Sequence, residues 1–133
     1  MEHAKIDSRD DRDLYKKWGN KVLAKGWTSV PNLLLRNASV LRLDPTETLT
    51  LIYLMRFWWK PGDLPYPSIS KTSEEMGVTR KTLSKKFSSL KEKGLITEIS
   101  APGQPTKYSL DGLIARLSEL HEEGFNEQHA YAE

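Results

Sequence analysis

The residues of this chain that could bind a charged ligand are concentrated in one stretch, "TRKTLSKKFSSLKEK", from Thr79 to Lys93. With a helical period of about 3.6 residues, its apolar side chains Leu83, Phe87 and Leu90 fall on one face. The opposite face carries Lys81, Lys85, Ser88 and Ser89, with Arg80, Thr82 and Ser84 beside them near the first turn. Lysine and arginine bind phosphates and guanine edges, and hydroxyl groups bind either. The pattern predicts a helix that packs through one face and binds a polyanion through the other.

A solvated surface is the alternative interpretation of this helix. A solvated face is better stabilised by Glu and Lys mixed at four-residue spacing, whereas only Glu92 interrupts the basic run here. The net charge of +2 also hides two regions of opposite sign. From Arg80 to Lys107 seven Lys and Arg residues accompany two Glu residues, whereas from Asp111 onward six carboxylates accompany one arginine. The sequence thus predicts a basic binding region and an acidic C-terminal region.

The elements around the basic helix are typical of a helix-turn-helix arrangement. Lys71–Met76 is predicted as a short helix, Gly77 as the turn, and Thr79 as the N-cap of a helix that runs to about Lys93. Gly94 is expected to end this helix in a left-handed conformation. Two strands, "LITEIS" and "TKYSL", joined by the turn "APGQP", are predicted to follow. A short helix, a glycine turn and a basic helix are the parts that place a recognition helix in the major groove of DNA.

Three helices are predicted on the N-terminal side of the helix-turn-helix segment. Leu14, Trp18 and Val22 recur every four residues and indicate an amphipathic helix from about Arg9 to Lys25. A short helix is expected from Pro31 through Arg36. In the third, Asp44 is expected to be the N-cap, Pro45 the first helical residue and Glu47 the partner in a capping box, with the helix ending at residues 60–62. Its apolar stripe consists of Leu51, Leu54, Met55 and Trp58, with Leu49 and Ile52 beside it.

The aromatic run "RFWW" at the end of that helix has two interpretations. Phe57 and Trp58 are expected to continue the buried stripe, and Trp59 to cover the turn around Tyr66. Stacking of these rings on nucleic-acid bases is the less favoured alternative.

A final helix is predicted after Asp111, which could cap it. Its stripe of Leu113, Leu117 and Leu120, with Ile114, has two equally supported interpretations, a part of the core and a dimer seam. The N-terminal stripe of Leu14, Trp18 and Val22 is a second candidate seam.

Composition limits the class of protein. The 133 residues, 38% of them hydrophobic, suit one compact unit with helical appendages. There is no cysteine, and His3, His121 and His129 are scattered, so we expect no metal, no cofactor and no catalytic centre. No apolar run reaches the length of about 18 residues that indicates a membrane helix, and the first residues lack the apolar stretch of a signal peptide. We therefore expect a cytoplasmic protein.

The stretch "PSISKTSEEMGVTRKTLSKKFSSLKEKGLI", the hairpin and "YSLDGLIARLSEL" resemble the winged helix-turn-helix domains of bacterial, phage and plasmid regulators and replication initiators. The resemblance spans about Tyr15–Leu120. It implies a mostly α fold, with a three-helix core and a β-hairpin wing at residues 44–110. A helical extension at 1–43 and a C-terminal helix with an acidic tail at 111–133 would flank it. The wing "APGQPTK" offers one lysine, whereas wings that enter the minor groove often carry arginine or several lysines.

The resemblance also implies which residues lie at the DNA. Ser70–Met76 would be the supporting helix and Arg80–Lys93 the recognition helix. The candidate DNA-binding residues are Thr79, Arg80, Lys81, Thr82, Ser84, Lys85 and Ser88 on the helix, and Gly103, Gln104 and Lys107 on the wing. We expect sequence-specific binding of double-stranded DNA by a transcriptional regulator, as a homodimer built by one of the terminal helices. Alternatives are origin binding in plasmid or phage replication, and a winged helix used only for contacts with an acidic protein.

Overall fold

The computed structural model describes the backbone of residues 8–128 and the side chains of residues 11–124. This part of the chain is mostly helical, with one small antiparallel sheet. The helices are α1 (Ser8–Trp18), α2 (Asn32–Arg36), α3 (Pro45–Arg56), α4 (Ile69–Met76), α5 (Arg80–Glu92) and α6 (Asp111–Gln128), and the strands are β1 (Thr97–Ile99) and β2 (Lys107–Ser109).

The N-terminal helix is shorter than its apolar spacing predicts. It ends at Trp18 instead of about Lys25, because Gly19 takes a φ of 85°, a left-handed conformation that ends a helix. Trp18 and Val22 are 55% and 62% exposed, and the buried residue of this segment is Leu23. The predicted continuous stripe on one long helix is therefore wrong.

The first turn of α3 forms as predicted. The Asp44 side chain accepts a hydrogen bond from the Glu47 N–H at 2.7 Å, and the Glu47 carboxylate accepts one from the Asp44 N–H at 2.9 Å. Pro45 occupies the first helical position. This capping box fixes where the helix starts. The short helix α2 also forms where the sequence predicts it, with Pro31 just before its first residue.

The end of α3 differs from the prediction. The helix stops at Arg56, four residues before Lys60, and the Trp59 indole N–H donates to the Arg56 carbonyl oxygen at 2.9 Å. That carbonyl would accept from the backbone N–H of Lys60 in a continued helix, so the indole replaces this partner. Phe57 and Trp58 are half-buried, whereas Trp59 is 80% exposed. The prediction that Trp59 covers a turn is therefore wrong.

Helices α4 and α5 form the predicted helix-turn-helix. Gly77 ends α4 with a φ of 74°, a left-handed conformation that glycine adopts without strain. The Thr79 hydroxyl oxygen then accepts a hydrogen bond from the Thr82 N–H at 3.0 Å and caps α5. Leu83, Phe87 and Leu90 are buried on the inner face of α5, as their spacing predicts.

The wing is a short hairpin beside α5. Glu98 pairs with Tyr108, and Ile99 pairs with Lys107. The Tyr108 N–H also donates to the Pro65 carbonyl oxygen at 2.9 Å, so the connection between α3 and α4 runs alongside β2. The Tyr108 ring stacks on Phe87 of α5 with centroids 4.8 Å apart, which fixes the wing to the helix.

Helix α6 completes the core. Leu113, Leu117 and Leu120 are buried in one cluster with leucines of α2, α3 and α5. Gly112 permits the close approach, because a Cβ there would lie 2.0 Å from the Gly94 carbonyl oxygen. Of the two interpretations of this stripe, the core is the one that the structure supports. Asp111 is the first residue of the helix instead of a cap that precedes it, and its N–H donates to the Ser109 hydroxyl oxygen at 3.1 Å.

Candidate nucleic-acid interface

The outward face of α5 is basic and exposed. Arg80, Lys81 and Lys85 are all exposed, as are the hydroxyl residues Ser84 and Ser88. In the part of the chain that the structure describes, none of the three cations forms an ion pair. The small serines between the long side chains leave room for another molecule to approach the helix backbone.

The other three cations of this region are engaged within the protein. Lys86 contacts the Asp44 carboxylate at 2.8 Å and Lys91 contacts the Glu98 carboxylate at 2.6 Å. Lys93 contacts the Glu47 carboxylate at 2.9 Å and donates to the Arg42 carbonyl oxygen at 2.6 Å. The sequence places seven Lys and Arg residues between Arg80 and Lys107. Three of them neutralise carboxylates of the domain and are therefore not available to a phosphate.

The Glu47 carboxylate is the centre of the buried part of this network. Its residue is only 3% exposed. Burial alone would raise the pKa of Glu47, but hydrogen bonds from the Ser89 hydroxyl, the Asp44 N–H and Lys93 outweigh it and hold the pKa below its ordinary value. The Lys86 hydrogen bond likewise lowers the pKa of Asp44. Both carboxylates therefore stay ionised and hold their lysines away from the outward face.

Thr79 and Thr82 lie at the start of the candidate interface. The Thr79 hydroxyl donates to the Thr82 hydroxyl oxygen at 3.0 Å, in addition to its capping bond. The Thr82 hydroxyl keeps its own proton for another acceptor. Thr79 is exposed and Thr82 half-buried, next to Arg80 and Lys81. Seven predicted residues, from Thr79 to Ser88, therefore lie along the first three turns of α5.

The predicted wing residues are divided between two places. Gly103 and Gln104 are exposed at the tip, where Gly103 has a φ of 75° and the Gln104 N–H donates to the Ala101 carbonyl oxygen at 3.1 Å. Lys107 lies on the return strand and is half-buried, with its ammonium 5.8 Å from the centre of the Tyr66 ring. The tip therefore carries no charge, and the single wing lysine lies beside an aromatic ring.

Sequence reasoning missed the ion pairs and the exposure of Trp59. Lys86 and Asp44 lie 42 residues apart, so no local spacing indicates their contact. The helix end at Arg56 could have been suspected from the run of bulky aromatic residues that follows it.

No cluster of three or more His, Asp or Glu side chains within the described residues could hold a metal ion. None of the described helices is both long enough and apolar enough to cross a membrane.

Comparison with known proteins agrees with this architecture. A sequence profile described as "Helix-turn-helix domain" matches residues 41–96 of the chain. Among solved structures, the chain is similar to the N-terminal domain of the DnaD protein from Geobacillus kaustophilus HTA426, with 27% sequence identity and a TM-score of 0.64. This similarity covers 86% of the present chain and 96% of that one. No curated protein sequence gave a significant match.

The matched residues contain α3, the helix-turn-helix formed by α4 and α5, and the residues that lead into the wing. The β-hairpin that follows packs on α5 through Tyr108. The chain therefore has the winged helix-turn-helix fold.

Proposed function

We propose that this protein binds double-stranded DNA sequence-specifically and that α5 lies in the major groove. The observation that carries the proposal is the division of the cations between Arg80 and Lys93 into two groups. Lys86, Lys91 and Lys93 are paired with carboxylates, whereas Arg80, Lys81 and Lys85 point outward on the exposed face. An electrostatic contact with phosphate requires cations that are not already neutralised.

The proposed roles follow from side-chain chemistry. Arg80 presents a planar fork of donors that matches the O6 and N7 acceptors of guanine. Lys81 and Lys85 are one turn apart and suit phosphates along one edge of the groove. Ser84 and Ser88 are short enough to let base edges approach the helix.

Replacing both Lys81 and Lys85 by alanine should weaken binding to a preferred duplex by about 10- to 100-fold and reduce the slope of log K against log salt by about 2. The physical reason is the loss of two phosphate contacts and of the counterions that they release. Fluorescence anisotropy with labelled duplexes at several salt concentrations measures both quantities. The double variant Lys16→Ala/Lys17→Ala is the matched control, because it removes two exposed lysines from another helix, α1.

An unchanged affinity of the Lys81→Ala/Lys85→Ala variant would contradict the assignment of α5 as the recognition helix. Equal losses in the two double variants would mean that only the overall charge matters. A protein that binds every duplex equally would instead support the alternative of a winged helix that contacts an acidic protein, and such a partner should compete with DNA for Lys81 and Lys85.

The biological role that we propose is transcriptional regulation. Binding at a replication origin is the second candidate, and the similarity to the DnaD domain favours it. The two roles differ in where the preferred sites lie. Genomic fragments that are retained by the protein should map upstream of genes for a regulator and cluster at an origin for an initiator.

We also propose that the protein acts as a homodimer. A single recognition helix covers few base pairs, and two copies on a two-fold site gain discrimination. The apolar stripe of α6 is buried in the core of the chain itself, so it is not available to a second copy. The N-terminal segment remains the candidate seam, because Trp18 and Val22 expose apolar surface that a second copy could cover.

The double variant Trp18→Ser/Val22→Ser should shift sedimentation at micromolar protein from dimer towards monomer, since it removes apolar area from the proposed seam. The variant Ile99→Ser, which changes an exposed apolar residue of the wing, is the control and should leave the dimer intact. A wild-type protein that sediments as a monomer, both free and on DNA, would contradict the dimer.

A further inference from the structure

A second surface of the domain has the features of a binding site that duplex recognition by α5 does not use. A cleft of about 700 Å³ lies between the chain after α3 and the return strand of the wing. Its aromatic side chains are Phe57, Trp59 and Tyr66, and its polar side chains include Lys107 and Asp63.

Trp59 is held in position although it is exposed. Four fifths of its surface is open to solvent, yet its indole N–H is fixed by the hydrogen bond to the Arg56 carbonyl oxygen at 2.9 Å. A large apolar ring that is fixed and left open to water indicates a contact surface. The Trp59 side chain therefore loses little conformational freedom when a ligand stacks on it, which lowers the entropy cost of binding.

Tyr66 and Lys107 supply the other parts of the site. Tyr66 is 57% exposed, and the Lys107 ammonium lies 5.8 Å from the centre of its ring. Lys107 forms no ion pair with any carboxylate in the described part of the chain. Its charge therefore remains available to a phosphate. The Asp63 carboxylate, also on the cleft and exposed, can accept from an N–H group of a base, such as the ring N–H of thymine.

We propose that this cleft binds single-stranded DNA, with bases stacked on Trp59 and Tyr66 and a backbone phosphate at Lys107. Aromatic rings interleaved with a cation are the chemistry that binds single strands with little sequence preference. Bases within a duplex cannot reach such rings, because they are stacked on each other. The cleft is also continuous with the wing, since Lys107 belongs to β2. The proposal goes beyond duplex recognition and does not depend on it.

The test is the affinity for a short, labelled, single-stranded oligothymidylate at low salt, measured by fluorescence anisotropy. Trp59→Ala should weaken binding by about 5- to 150-fold, the range expected for the loss of one stacked base. Trp59→Phe should restore most of the affinity, because it keeps an aromatic face. Trp27→Ala is the matched control: it removes another exposed tryptophan, one that does not line the cleft and is not part of the proposed dimer seam, and should leave the affinity unchanged.

Duplex binding separates this site from α5. Trp59→Ala should leave affinity for the preferred duplex unchanged, and Lys81→Ala/Lys85→Ala should retain the dependence of single-strand binding on Trp59. The proposal is overturned if the wild-type protein does not bind the oligonucleotide, or if Trp59→Ala binds it as tightly as Trp27→Ala. It is also overturned if a proline-rich peptide binds in a Trp59-dependent manner while the oligonucleotide does not, since the cleft would then be a peptide site.

Discussion

Replacing Glu47 by glutamine should lower the free energy of unfolding by about 3–5 kcal/mol, the usual result of removing one partner of a buried ion pair. The Glu47 carboxylate accepts hydrogen bonds from the Ser89 hydroxyl, the Asp44 N–H and the Lys93 ammonium. A neutral amide cannot neutralise Lys93, and its NH₂ group would face donors instead of acceptors. Urea unfolding followed by circular dichroism measures the loss.

Two control variants test whether burial causes this effect. Glu75→Gln breaks an ion pair with Arg56 in which both side chains are largely exposed, and it should cost less than about 1 kcal/mol. The double variant Glu47→Leu/Lys93→Met should recover a large part of the stability, because it leaves no unpaired charge. A Glu47→Gln variant that is no less stable than Glu75→Gln would show that the network contributes little.

The same network predicts how stability depends on pH. The pKa of Glu47 in the folded protein lies below its ordinary value of 4.5, which applies to the unfolded chain. The stabilisation from this group is therefore fully present above about pH 4.5 and is lost as the pH falls through the lower folded pKa. Asp44, whose pKa is also lowered, contributes in the same direction. The acid-induced loss of stability should be smaller in Glu47→Gln than in the wild-type protein.

Replacing Leu83 by alanine should cost about 2–5 kcal/mol, the range for large-to-small changes in a core. Leu83 is fully buried on the inner face of α5, so its loss leaves a cavity between α5 and the rest of the domain. Phe87→Ala should cost a similar amount and also release the wing, because its ring stacks on Tyr108. Chemical unfolding measures the free energies.

Leu49→Ala is the matched control for the core variants. Leu49 is 40% exposed on α3, so the same truncation removes much less buried area. If Leu83→Ala unfolds as Leu49→Ala does but loses DNA affinity, then Leu83 faces the ligand and the orientation of α5 is wrong.

The sequence by itself determined where α3 and α5 start and where α4 and α5 end, because these signals act over a few residues. The capping box of Asp44 and Glu47 and the N-cap Thr79 each join groups three residues apart. Gly77 and Gly94 end helices through their own backbone conformation. The helical spacing of the apolar residues likewise predicts that Leu83 and Phe87 lie on the inner face of α5. The helix-turn-helix and the exposed basic face of α5 follow from these local features.

Only the tertiary structure decided which cations are available and which apolar residues are covered. Lys86 and Lys93 are paired with carboxylates that lie 42 and 46 residues away, so their charge does not reach the outward face. The α6 leucines join the core because α6 packs against the backbone at Gly94, a contact that Gly112 permits. Trp59 is left open because α3 ends early at Arg56. Each of these outcomes depends on how distant segments fill space and neutralise charge together, which the types and spacing of neighbouring residues do not specify.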